Sequence, residues 1–233
     1  MKQKTGERAV FFERPTATEP EFLEAHKQLI ESAYILHING RHRKLMRSAM
    51  AVAKEVGTII SLDGGAQRYD EDMKPITEAS HIVIVARDYA EKYTGTTNLE
   101  DACRIIHERG AFIAGVTDGA NGSYFVWPDG TSYRCEPFSQ ATVVDTTGAG
   151  DSFHGAFLYM LTKTLCKIAD GTNTSTMNET SQSLNAIDLL HSCAHEDLEK
   201  AATFASAVAA LNTQGIGGRS PLPSLEDIKA LIG

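Results

Sequence analysis

Val144-Asp145-Thr146-Thr147-Gly148-Ala149-Gly150-Asp151-Ser152-Phe153 reads as a strand end, a turn of small residues and the start of a helix. Gly148, Ala149 and Gly150 carry almost no side chain, so a ligand can approach the backbone closely, and glycine permits unusual dihedrals. The first N–H groups of the following helix have no internal partner. Together with the helix dipole they form an anion site. Asp151 sits at that same helix start. Its plainest role is to cap the helix, which aspartate does well. A carboxylate beside an anion pocket can also take a proton from an attacking hydroxyl while the N–H groups hold the charge of a transferred phosphoryl group. The flanking D-T-T-G-A-G-D-S-F favours this second role.

Upstream of this stretch, strand-like and helix-like segments alternate. Arg8–Glu13 reads as a strand, Glu19–Ser32 has helical composition, Tyr34–Asn39 is a strand, and a helix runs from about Lys44 to Val56. Thr58–Leu62 is short and β-branched and ends in the turn signal Asp63-Gly64-Gly65. His81–Val85 is a buried-strand candidate. Asn98 can cap a helix to Arg109 that Gly110 ends, and Ala111–Thr117 follows as a strand. This alternation argues for a parallel sheet with helices on both faces. Pro128-Asp129-Gly130-Thr131 between two strand-like runs is a hairpin signal.

Downstream, a helix is expected from about Ser152 to Cys166, and an Ala-rich helix from about Leu198 to Leu211. A glycine-rich loop follows at Gly215–Gly218, then a closing helix at Leu225–Ile232. The polar run 170–183 reads as a flexible insertion. Its two N-x-S/T sequons, at Asn173 and Asn178, are taken as chance.

The chain has 233 residues, 42% of them hydrophobic, enough for a single domain spanning 1–233. Its net charge of −8 argues against general nucleic-acid or anionic-membrane binding, though not against a local nucleotide site. No apolar run is long enough to span a bilayer, and no apolar signal core follows Met1–Arg8, so the expected compartment is the cytoplasm. Cys103, Cys135, Cys166 and Cys193 form no C-x-x-C pair and read as packing thiols. His191 and His195 would share a helix face as an i, i+4 metal pair if one helix carried both, but a solvated helix end is the plainer reading.

The motif ending in Asp151, followed by Gly155-Ala156-Phe157, resembles the C-terminal signature of the ribokinase, or PfkB, family of carbohydrate kinases. The resemblance implies a ribokinase-like three-layer α/β/α sandwich with a mostly parallel sheet. It implies an ATP-dependent sugar kinase with Asp151 as base and Gly148, Ala149 and Gly150 as anion hole. Asp145 and Thr147 would lie near the family's monovalent-cation site, which takes potassium, and magnesium would arrive with ATP. Thr117-Asp118-Gly119-Ala120-Asn121-Gly122 looks like the family's T-x-G-x-x-G turn, so Thr117, Gly119 and Gly122 would line the nucleotide phosphates. The Ala-rich helix and the glycine loop resemble the adenine pocket and cation loop, which makes Ser206, Asn212, Gly215 and Gly218 cofactor-binding candidates. His37-Ile38-Asn39-Gly40-Arg41 is similar to a segment of ketohexokinase-like members and makes Asn39 and Arg41 substrate-binding candidates. The implied partners are a small sugar and a nucleotide, and the family would allow a homodimer.

The sequence also departs from the family. Ala86 and Tyr89 stand where many members carry an Asn-x-x-Glu motif that organises magnesium and phosphate; Asp88 or Glu91 would have to compensate. The family's opening strand, its Gly-Gly…Asn sugar segment and its lid strands are expected to fall before Met1. The competing function is therefore a non-catalytic pseudokinase or truncated fragment that at most binds nucleotide.

Overall fold

A computed structural model describes residues 19–138, 142–175, 185–220 and 222–233. The expected strand at Arg8–Glu13 lies outside them. Six strands form one sheet in sequential order: β1 Ile35–Ile38, β2 Ile59–Gly64, β3 Ile82–Ala86, β4 Ile113–Thr117, β5 Ser123–Val126 and β6 Ser132–Cys135. β1 to β4 are parallel, and β5 and β6 return antiparallel.

The helices are α1 Glu24–Glu31, α2 Arg43–Val56, α3 Lys74–Glu78, α4 Arg87–Thr94, α5 Leu99–Glu108, α6 Ala149–Ser175, α7 Ala186–His191, α8 His195–Asn212 and α9 Leu225–Ile232. α2, α3, and the pair α4 and α5 supply the three parallel crossovers. Each crossover moves to the next strand on the same side with the same hand, so these helices all pack on one face of the sheet. Strand alternation shows the consequence. Ile60, Leu62, Val83, Val85, Ala114 and Val116 join the core under α2–α5, with Met46, Met50, Ile76 and Ile106. Ile59, Ile82, Ile84, Ile113, Phe125 and Trp127 point to the other face. There they meet Phe153, Phe157, Leu161 and Leu165 of α6 and Leu198, Ala202 and Ala205 of α8. The small residues of α8 let it lie close against α6. Three layers result, as the alternation in the sequence implied.

Local chemistry explains most boundaries. Asn98 Oδ1 accepts the amides of Glu100 and Asp101 at 3.0 and 3.1 Å, which starts α5. Asp129-Gly130 makes the β5–β6 hairpin, with Gly130 at φ +84°. Two elements differ from expectation. α6 continues through residue 175, six residues into the stretch read as an insertion, because no glycine or proline lies between Cys166 and Asp170 and Ile168 and Ala169 pack on the core. The rest of that stretch, 176–183, lies outside the described residues. The second is α7, which is capped by Asn185 and Asp188 in a reciprocal box. It ends at His191, and α8 begins at His195 after a break. The two histidines therefore share no helix face: His191 packs edge-on against Phe112 at 4.1 Å, and His195 Nε2 lies 3.3 Å from Asp129.

Among the described residues, no helix is long and apolar enough to cross a membrane.

Candidate active site

The parallel strands end on one edge, which brings His37, Asp63, Ala86 and Thr117 to the same side of the sheet. The start of α6 lies on this edge too, because His154 in its second turn reaches Asp63 at the end of β2. Asp151 is exposed in the first turn of α6. Ser152 N donates to Gly148 O at 2.8 Å, closing that turn.

The two glycines of the turn have different jobs, while Ala149 N donates to Thr146 O at 3.3 Å. Gly148 stands at φ +80°, and a Cβ there would meet Gly218 Cα at 2.4 Å and its carbonyl oxygen at 2.9 Å. Its lack of a side chain is demanded by the fold. A Cβ on Gly150 would meet nothing within 4 Å. Space at Gly150 is open for something other than protein.

Asp145 ties this turn to the glycine loop. Its carboxylate accepts Thr147 N and Gly217 N, each at 2.9 Å, while Val144 N and Asp145 N donate to Thr213 O at 2.8 and 3.1 Å. Asn212 was expected at the nucleotide, but it is fully buried, with Nδ2 3.4 Å from Gly218 O and Oδ1 lacking a protein partner. It buttresses the loop from behind. Ser206 lies on α8 next to the Cys135 thiol, against β6. Gly215 lines a cavity of about 340 Å³ with Leu211, Gln214, Leu222, Pro223 and Asp227. That volume and its mixed apolar and polar walls suit part of a nucleotide-sized ligand.

The Thr117–Gly122 turn joins β4 to β5. Gly119 and Gly122 have φ +53° and +86°, and a Cβ on Gly122 would meet Cys135 O at 2.3 Å. Asp118 accepts Asn121 Nδ2 at 3.0 Å and Arg87 Nη1 at 2.8 Å, so its charge is neutralised beside the turn. Asn39 and Arg41 are exposed at the end of β1, where Asn39 Oδ1 accepts Arg41 N at 3.2 Å.

The departure at Ala86 and Tyr89 is built into the core. Tyr89 is wholly buried; its hydroxyl pairs with Thr77 Oγ1 at 2.7 Å, and its ring meets Tyr69 edge-on. Asp88 accepts Gln67 N at 2.6 Å, and Glu91 accepts Arg87 Nε at 2.9 Å. Each acid thus has one oxygen engaged within the protein. Among the described residues, no three His, Cys, Asp or Glu side chains are grouped to hold a metal ion.

Sequence reasoning missed a polar cluster beneath Asp151. Asp63 and His154 are 10% and 7% exposed, with His154 Nε2 3.2 Å from Asp63 Oδ1. Arg68 Nη1 lies 3.5 Å from Asp63 Oδ2 and donates to Asn39 O at 3.2 Å. Burial works against the charged form of Asp63, but the His154 hydrogen bond and charge outweigh it and hold the carboxyl below its usual range. The fold therefore gains stability from this carboxylate above about pH 4, the unfolded value, and loses it as the pH falls through the lower folded value. Asp63→Asn is expected to flatten the acid limb of the thermal-stability profile below that pH while leaving its shape near neutrality. An unchanged acid limb would contradict the pairing. The GD-x-x-H spacing, Asp151 to His154, was the available signal: i and i+3 share one helix face.

The sequence model for pfkB family carbohydrate kinases matches residues 1–225. A protein described as probable fructokinase-5 of Arabidopsis thaliana is 28% identical over 248 residues, spanning 99% of this chain and 68% of the relative. The 5-dehydro-2-deoxygluconokinase of Shouchella clausii is 23% identical, spanning 87% of this chain and 57% of that protein. Among solved structures, ribokinase from Giardia lamblia superposes with a TM-score of 0.67 at 17% identity, covering 88% of this chain and 61% of its own. Fructokinase from Vibrio cholerae, in a form with fructose, ADP and calcium ion bound, gives 0.65 at 21%, covering 86% and 61%. This chain thus spans only about three-fifths of several proteins it matches. The ketohexokinase-like subgroup finds no separate support in these likenesses.

Proposed function

The chain belongs to the pfkB family of carbohydrate kinases, and on that premise we propose that it transfers the γ-phosphoryl group of ATP to a sugar hydroxyl, with Asp151 as the base. The observation that carries this reading is the placement of Asp151, exposed on the first turn of α6 beside the open face of Gly150 and at the edge where four parallel strands end. The acceptor hydroxyl gives its proton to the Asp151 carboxylate as its oxygen forms a bond to the γ-phosphorus. The bond from that phosphorus to the bridging oxygen breaks, and ADP leaves with the electron pair. Unpartnered amides of the first turn face the developing charge.

The Thr117–Gly122 turn suits the phosphates, and the cavity at Leu211, Gly215 and Pro223 suits the base. Magnesium would come with ATP, held mainly by phosphates and water. The Asp145 seam, with the orphaned Asn212 oxygen behind it, offers the hard oxygen donors that a potassium ion takes.

Gly150→Ala is the sharpest probe of the anion hole. The methyl group meets no protein atom, so folding stability should change by less than about 0.5 kcal/mol, whereas turnover should fall because the methyl occupies the approach of the phosphoryl oxygens. Equal turnover in both proteins would remove Gly150 from the site.

A second reading is a chain that binds nucleotide without turnover. The packing of Tyr89 into the core, where many members of the family carry the acid of an Asn-x-x-Glu motif, favours it. Calorimetric titration with MgATP, with and without fructose or ribose, separates the two. Sugar-strengthened nucleotide binding, together with ADP release in a coupled assay, supports the kinase. Nucleotide binding indifferent to sugar supports the second reading. A folded chain that binds no nucleotide overturns both.

A further inference from the structure

His37 lies next to the last residue of β1 on the active edge and reaches solvent, unlike the buried Ile38 beside it, while part of its ring is packed against protein. Its Nδ1 pairs with Ser61 Oγ at 3.2 Å, and Ser61 is wholly buried in β2. Its ring lies 5.5 Å from that of His154, which is held in turn by Asp63. Asp151 is close enough for its charge to act on His37. His37 Nε2 has no hydrogen-bond partner among the described residues. One imidazole nitrogen is therefore anchored to the sheet, the ring is backed by the buried Asp63–His154 pair, and the other nitrogen is open beside the catalytic aspartate.

We propose that His37 is a specificity-determining residue of the acceptor site, which offers Nε2 to a second hydroxyl of an uncharged polyol whose first hydroxyl lies at Asp151. This rests on the kinase reading above and adds the class of acceptor to it.

Three features support an uncharged ligand. Crowding by protein, and then the nearby His154, lower the His37 pKa, against the pull of Asp63 and Asp151. The ring is accordingly neutral near pH 7. A neutral imidazole has one donor and one acceptor nitrogen, and whichever role Ser61 takes at Nδ1, a hydroxyl can take the complementary role at Nε2. Arg68, the cation of the buried cluster, is already engaged with Asp63 and the Asn39 carbonyl, so it adds no free charge for an anionic acceptor. Asp151 would repel a carboxylate or phosphate placed beside His37.

The test uses the full chain saturated with MgADP, labelled on its histidine rings, and followed by NMR during titration with fructose, ribose, fructose 6-phosphate and gluconate. A neutral sugar should shift the His37 ring signals. His37→Leu should weaken its binding about tenfold, the equivalent of one hydrogen bond, with MgADP affinity unchanged. His37→Gln, which keeps a donor and an acceptor, should restore most of that loss. Sugar binding that leaves His37 unmoved, or equal affinity in His37→Leu, overturns the proposal and leaves the kinase reading standing. Tighter binding of the phosphate or the carboxylate than of the neutral sugars overturns the stated acceptor class. MgADP binding without any sugar binding overturns the subsite, and absence of MgADP binding overturns the kinase reading with it.

Discussion

Asp151→Asn is expected to lower phosphoryl transfer about a thousandfold, within the usual range for loss of a general base, while MgATP affinity changes little. Asparagine is nearly isosteric, and Asp151 is exposed in the first turn of α6, so the substitution disturbs no packing. The fold should therefore be unchanged. What disappears is the carboxylate that takes the acceptor proton as the new P–O bond forms. On the proposed reading the nucleotide would meet the turn amides, the Thr117–Gly122 turn and the cavity beside Gly215, none of which the substitution alters. Removing a negative charge from the phosphate site would, if anything, tighten binding of an anionic ligand. The measurement is steady-state turnover beside calorimetric affinity on the same preparations. Full turnover in Asp151→Asn would move the base elsewhere, and parallel loss of turnover and nucleotide binding would make Asp151 part of the binding surface.

Gly148→Ala is expected to have the opposite profile, a large loss of stability. Its Cβ would lie 2.4 Å from Gly218 Cα, with that residue's carbonyl carbon and oxygen also closer than about 3.1 Å. These are backbone atoms on a loop already pinned by Asp145 to Gly217 and by Asn212 to Gly218, so they cannot swing aside as a side-chain tip would. The φ of +80° adds a conformational cost for any residue with a Cβ. Together these should cost about 3 kcal/mol. For a domain of this size that is a fall of roughly 6–12 °C in the melting midpoint. Thermal and urea unfolding would measure it. A midpoint matching the parent would mean that the two loops separate readily and that the seam is looser than its hydrogen bonds indicate. Two glycines two residues apart thus fail in different ways, one through the fold and one through the ligand.

Strands were legible because their chemistry is local. Ile59–Leu62, Ile82–Val85 and Ile113–Val116 are short, apolar and β-branched or small, and each is buried on both faces as a parallel strand requires. The cap at Asn98 and the Asp129-Gly130 hairpin likewise depend on neighbours a few residues away. α7 carried a readable signal in Asn185-x-x-Asp188, but it followed a polar run that masked it. The site was legible where it is a contiguous motif. It was not legible at Asp63, which looked like part of a turn and is the buried end of β2, nor at His154, whose partner lies 91 positions away in the chain. Nothing in local spacing announces a contact made by the end of a strand with the second turn of a helix on the opposite face. Nor does local spacing announce the contact of the buried Asn212 side chain with Gly218 O, which the packing of the loop supplies.

The sequential strand order also sets a schedule for synthesis. β2, β3 and β4 can each join the preceding strand on leaving the ribosome, and the crossover helix between them is already made to cover one face. The opposite face has no such attendant. Ile59, Ile82, Ile84, Ile113, Phe125 and Trp127 wait for α6 and α8, so Ile59 waits until about a hundred further residues have been made, roughly five to twenty seconds at ordinary translation rates. During that interval the nascent chain is a half-clothed sheet with an oily side. This is the surface a chaperone would hold, and the growing protein is most exposed to aggregation just before the turn at Gly148–Gly150 and the helix after it emerge.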